Sequence, residues 1–266
     1  MPKFPLLIVL AVSFPIGASS QTTQPRCSTT GNFAAQSMAV MRTGVGTPYS
    51  LIATIKTNME LSDGNTLNAF TTSHQVRDSQ GRTRVEEPTS CAIDKDGQPH
   101  WQGSITVIDP VAKTHTFWQE NLGPVTKSAV VTHMPFVKVS IPPTAQMEYR
   151  EAQQMSQAYD HMGPQTKHDS YQVEDLGKRN IARIAASGIR ITRTSPAGMV
   201  GNSLPLTYVE EKWVSDQYGV IVLDTKDDPV FGKSTYEVTD FIPGEPDASL
   251  FQPPADYKIN ERTVGQ

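Results

Sequence analysis

Chemistry at an active site needs a nucleophile, a base or a metal-ligand set brought together by spacing, and this chain offers few such residues. Its histidines are His74, His100, His115, His133, His161 and His168. None belongs to an HExxH motif or to a compact spacing with acidic partners; only His161 and His168 flank a common turn, at Gly163-Pro164. There is no GxSxG elbow, and Ser187-Gly188 and Ser195-Pro196 bring neither a base nor an oxyanion hole with them. Glu86 and Glu87 are neighbours on a predicted strand, so their carboxylates point to opposite faces and make no dyad. The DKDGQ segment starts like a calcium loop, but the twelfth position from Asp94 is Ile105, which has no oxygen ligand to give. Cys27 and Cys91 are the only cysteines and form no CxxC; an oxidising compartment permits their pairing without requiring it. These residues therefore predict a chain that is not an enzyme and carries no cofactor and no metal.

Binding residues are easier to find. The stretch RDSQGRTRVEE carries Arg77, Arg82 and Arg84, whose planar guanidinium forks match a phosphate or carboxylate head group. Arg82 and Arg84 also share a strand face, where acidic partners across the sheet would occupy them instead. A second candidate surface is the stripe Met147, Met155 and Met162, because methionine adapts to irregular ligands. The same stripe also serves for plain packing of a helix on a sheet. Trp101, Trp118, Trp213, Phe117 and Phe136 are open to the same two readings, an acyl pocket or ordinary core.

The elements that must position these residues are mostly strands. In YSLIATIKTNMEL, Tyr49, Leu51, Ala53, Ile55, Met59 and Leu61 keep one parity and predict the buried face of a strand. Turns follow at Ser62–Asn65 and at Asp78–Gly81, with a return strand between them and a third strand from Arg82, which makes an antiparallel meander with one wet face. SITVID and THTFWQE read as the next strands, while 121–143 is not legible. Residues 144–162 contain neither glycine nor proline, and Met147, Met155, Ala158, Tyr159 and Met162 recur at helical spacing. Tyr171–Leu176, Arg179–Ala185 and Gly188–Arg193 read as three strands interrupted at Gly177 and Gly188. Leu206–Val214, Gly219–Asp224 and Gly232–Phe241 read as three more, and Leu250 and Phe251 form an apolar knot that closes a core.

At the N-terminus, Met1–Lys3 supply a positive start and Leu6–Ile16 an apolar run that ends at small residues, the layout of a signal peptide over 1–20. The run is far short of the about 20 residues that a membrane span needs, so no transmembrane anchor is expected after signal removal. The predicted location is periplasmic or secreted. Residues 21–44 read as a polar leader with a short helix at Phe33–Met41, 45–258 as a single β domain, and 259–266 as a flexible tail. A formal charge of −4 with no basic blocks excludes a nucleic-acid footprint, and 18 glycines with 20 prolines punctuate the chain too often for long helices.

The C-terminal run EEKWVSDQYGVIVLDTKDDPVFGKSTYEVTDFIPGEPDASLFQPPADYKI resembles the closing hairpins of the LolA/LolB-like family of periplasmic lipoprotein carriers and their sensor-domain relatives. Its landmarks are the Trp-bearing strand Lys212–Val214, the polar turn Ser215–Gln217, the long strand Ser234–Phe241, and the closing Asp247, Ser249, Leu250, Phe251 and Pro254. The chain is also similar, through LSDG, RDSQGRTRVEE and WVSD, to a group of exported proteins of soil bacteria. The family resemblance implies a mainly β fold: a strongly curved antiparallel sheet, an incomplete barrel of LolA-like form, with one or two covering helices. It also implies a cleft for acyl chains, and the partner it points to is a lipid or other hydrophobic ligand, or an envelope protein.

Overall fold

The computed structural model describes residues 46–93, 95–96, 99–120, 127–134, 144–161 and 168–263. The expected signal segment, the expected leader and short helix, and Cys27, Phe136 and Met162 lie outside the described residues.

Among the described residues six strands precede the helix: β1 (Tyr49–Glu60), β2 (Thr66–Arg77), β3 (Thr83–Ile93), β4 (Pro99–Asp109), β5 (Thr114–Glu120) and β6 (Ser128–His133). Helix α1 covers Ala145–Asp160. Then come β7 (Ser170–Ile181), β8 (Ile184–Ser195), β9 (Leu206–Ser215), β10 (Val220–Asp228), β11 (Gly232–Pro243), a 3₁₀ turn at Ala248–Phe251, and β12 (Lys258–Thr263). All strands belong to one strongly curved sheet, ordered β12-β6-β5-β4-β3-β2-β1-β11-β10-β9-β8-β7, which does not close into a barrel. Every pairing is antiparallel except β12 on β6. The mainly β, open-barrel architecture with a covering helix is the one expected.

The sheet buries opposite faces in its two halves. Tyr49, Leu51, Ala53 and Ile55 of β1 are buried, as their alternation predicts, and pack with Val222, Tyr236 and Val238. Across the β1–β2 ladder Leu51 faces Gln75, so Val76, the next residue, points to the other side. The register carries that side on from Val76 through Arg84 to Val107, and from Glu86 through Ile105 and Trp118 to Ala129. Val76, Ile105, Val107, Trp118 and Ala129 form the second core, closed by Phe251 from the 3₁₀ turn. The knot at Leu250-Phe251 thus closes a core on the face opposite to the one β1 buries.

Three local readings change. The segment 170–195 is two long strands, because Gly177 and Gly188 lie inside them. Gly177 sits at a register shift with φ +75°, a left-handed bulge position that favours glycine. At Gly188 a Cβ would stand 2.7 Å from the Trp213 ring, so its missing side chain is the space the indole fills. The hairpin turn falls at Ala182-Arg183, both with positive φ. Finally, the tail expected over 259–266 is a strand through Thr263, because Lys258–Thr263 pair in parallel with Ser128–His133 and satisfy an edge that 121–143 gave no sign of.

Candidate functional site

Helix α1 starts at Thr144, whose hydroxyl accepts the Met147 N–H at 3.2 Å, and Glu148 in its first turn suits the helix dipole. It packs on β7, β8 and β9. The stripe it turns to the sheet is Glu148, Ala152 and Ser156, at steps of four: Ala152 is buried, Ser156 Oγ donates to the Tyr171 carbonyl at 3.1 Å, and Glu148 pairs with Lys212 at 3.0 Å. Met147 is half-buried, Met155 is 48% exposed, and Ala158 is exposed. Of the methionine stripe, Met155 borders a cleft of about 390 Å³ between the helix and the sheet.

The cleft wall on the helix side is Glu148, Glu151, Ala152 and Met155. Its floor is built by the face that β1 also buries. Thr57, Ser234, Lys226, Glu210 and Ile191 lie side by side across β1, β11, β10, β9 and β8, and Ile55, Tyr236, Asp224, Lys212 and Ile189 form the row beside them. Tyr171, Arg193 and Tyr208 continue the floor towards the strand ends, with the Arg193 guanidinium 4.0 Å above the Tyr208 ring. The cavity is therefore amphipathic, with tyrosine, methionine and isoleucine surfaces beside ionic ones.

The ionic groups form a connected network. Lys212 Nζ lies 3.0 Å from Glu148 and 3.6 Å from Glu210; Lys226 Nζ lies 3.3 Å from Glu210 and 3.7 Å from Asp224. Burial opposes the charge on Glu210, but the ammoniums of Lys212 and Lys226 outweigh it and hold that carboxyl below its usual range. Burial likewise opposes the charge on Lys212, and Glu210 and Glu148 more than restore it. Asp224 goes the other way: burial, reinforced by the Glu210 charge, pushes its carboxyl up to about 6. Its Oδ1 is buried without a hydrogen-bond partner.

The three arginines of the RDSQGRTRVEE stretch are spent within the fold. Arg77 is 1% exposed; it donates to the carbonyls of Thr47 at 2.8 Å and Tyr218 at 2.5 Å and stacks on Tyr49 at 4.8 Å. Arg82 binds Asp78 across the β2–β3 turn and covers the Phe251 ring. Arg84 pairs with Glu86 at 3.0 Å on the same strand, beside a His74 bonded to Ser50. The arginines are thus distributed over separate intramolecular partners, and none of them lines the helix-sheet cleft.

Glu210, Lys212, Asp224 and Lys226 escaped the sequence reading. Their signal was present: opposite charges two apart in EEKW and DTKD place a cation and an anion on one strand face. Nothing local says that a helix covers that face. Among the described residues, no three His, Cys, Asp or Glu side chains are grouped so as to hold a metal ion.

No protein-family model matches the chain, and no curated protein matches it. Among solved structures it is similar to an uncharacterized conserved protein of Thermus thermophilus, at 13% identity over 82% of this chain and 92% of that one, with a TM-score of 0.36. MucB of Pseudomonas aeruginosa, in its complex with MucA, matches at 9% identity over 81% of this chain and 59% of that one, TM-score 0.32. The lipoprotein LppX of Mycobacterium tuberculosis matches at 13% identity over 76% and 91%, TM-score 0.27. Likeness this remote carries no argument about function, and the similarity to exported proteins of soil bacteria finds no support in it.

Proposed function

We propose that the chain is a non-catalytic binding protein of the periplasm or extracellular space, and that its ligand lies in the cleft between α1 and strands β7 to β10. The observation that carries this reading is the cleft itself: about 390 Å³, with Met155, Tyr171, Ile191 and Tyr208 offering apolar surface and Glu151, Arg193 and Lys226 offering charge. A lipid or another hydrophobic ligand with a polar head matches that lining better than a bare acyl chain, which would desolvate the charged wall without offering it a polar group. The signal-like N-terminus supports the location.

The test is mass spectrometry of the protein purified from an exported expression, first under gentle conditions and then after organic extraction. A stoichiometric lipid-sized adduct, released by extraction and lost in a Met155→Asp variant, is the expected result. A bare polypeptide mass that persists after incubation with envelope lipids would refute the cleft reading.

One observation favours a second reading, an envelope scaffold or sensor that binds a protein partner along the sheet edge. Strand β7 ends the sheet, is 12 residues long and has no strand on its outer side among the described residues. Its bulge at Asp175–Gly177 and its Glu174, Lys178 and Arg179 are the devices that discourage such pairing, so the cleft remains the first choice.

A further inference from the structure

The β8–β9 loop and the β10–β11 turn lie at the same end of the sheet, since the two hairpins are neighbours and both turn there. Their tips hold five of the large apolar side chains that the protein exposes: Met199 at 38%, Val200 at 65%, Leu204 at 73%, Val230 at 53% and Phe231 at 68%. A single exposed leucine or valine is ordinary, but five on two adjacent tips make a patch. The chain carries no charged residue between Arg193 and Glu210, nor between Asp228 and Lys233.

Several main-chain groups of these tips are satisfied from within. Asn202 accepts the Val200 N–H at 3.1 Å through its side chain and donates to the carbonyls of Pro196 and Leu204 at 3.0 and 2.7 Å. The Gly198 N–H goes to the Asn202 carbonyl and the Met199 N–H to that of Pro196. In the other tip, one carboxylate oxygen of Asp228 takes the N–H groups of both Val230 and Phe231, at 2.7 and 2.9 Å. Pro196, Pro205 and Pro229 have no N–H to satisfy. Leaving water costs these bonded groups little, because an unpaired peptide group is the main penalty of entering an apolar phase.

We infer that these two hairpin tips dock the protein on a lipid bilayer, with Val230, Phe231, Val200 and Leu204 entering the interfacial layer. Val200, Leu204, Val230 and Phe231 are each more than half exposed, and the Asp228 carboxylate beside them is turned to the N–H groups of Val230 and Phe231; a fluid interface accepts such side chains without a complementary shape, which a protein partner would have to supply. Tyr208 and Lys226 of the helix-sheet cleft lie on the strands that lead into these tips, so docking brings the cleft beside the membrane surface. Docking does not depend on the cleft holding a ligand, and each is read out separately.

The test is flotation of the exported, processed protein with phosphatidylcholine vesicles, repeated with phosphatidylglycerol added and at low and high salt. The wild type is expected to float with both vesicles and to be insensitive to salt. Phe231→Asp and Leu204→Asp are each expected to lower partitioning about tenfold or more, the scale of losing one buried large apolar side chain. Ile242→Asp, at an equally exposed site on the opposite end of the sheet, is expected to leave it unchanged. A Phe231→Trp variant gives a readout that does not rest on a loss: its emission should shift to the blue when vesicles are added. A wild type that stays with neither vesicle, an Ile242→Asp variant that loses as much as the tip variants, or an unshifted tryptophan would overturn the inference. Loss of a copurifying protein from the tip variants, with no flotation of the wild type, would do the same and assign the patch to that protein.

Discussion

Replacing Asp224 by asparagine tests the electrostatic account of the cleft floor. The Asp224 side chain is 5% exposed, its Oδ1 is unpartnered, and Glu210 and two lysines surround it. Its carboxyl stands at about 6 in the folded chain against an ordinary 3.8, so the folded state binds this proton more tightly than the unfolded state. Between those two values the folded chain carries more of the proton, and the stability from this site falls as pH rises. Above about pH 6 the full penalty is present, up to about 3 kcal/mol at about 1.4 kcal/mol per pH unit. Asparagine keeps the shape, cannot ionise and has an amide N–H to offer Glu210. Urea unfolding followed by tryptophan fluorescence should find Asp224→Asn more stable than the wild type by roughly 1–3 kcal/mol near pH 7.5. The gap should close towards about pH 4, where the wild-type carboxyl is protonated when folded and half-protonated when unfolded. Stability curves that run parallel across this range, or a variant less stable near neutrality, would refute the reasoning.

Three further outcomes follow from the packing. Gly188→Ala should destabilise the fold by about 1–3 kcal/mol in a thermal melt, because the new methyl meets the Trp213 ring at 2.7 Å inside a strand that cannot easily shift. Phe251→Ala should cost about 3–5 kcal/mol by opening the second core, and an unchanged melting temperature would show that the 3₁₀ turn does not close it. Lys212→Met should cost about 1–3 kcal/mol by taking the cation from the half-buried Glu148, while Glu210 keeps Lys226. It should also speed hydrogen exchange in Ala145–Asp160, whereas unchanged helix exchange would mean that this ion pair does not hold α1 down.

Local pattern was enough for most strands, most turns and the helix, but not for β6 and β12. The alternation from Tyr49 to Ile55 names the buried side of β1 because a pleated strand sends neighbouring side chains to opposite faces, whatever lies across from them. The glycine- and proline-free run around Met147 names α1 for an equally local reason. The same grammar misread Gly177 and Gly188 as breaks, since the residue that fills the space at Gly188 is Trp213, 25 positions away and contributed by another strand. The change of buried face between β1 and β4 is likewise invisible to alternation, which gives two faces and no preference for which one another layer will cover. What ties Lys212 and, through it, Glu210 to a second layer instead of leaving them a solvated strand surface is Glu148 of α1, and only the tertiary structure decides where that helix lies. Arg77 shows the converse: its sequence neighbours suggest an exposed anion clamp, but the carbonyls of Thr47 and Tyr218 that hold it come from distant segments which meet only when the sheet curves.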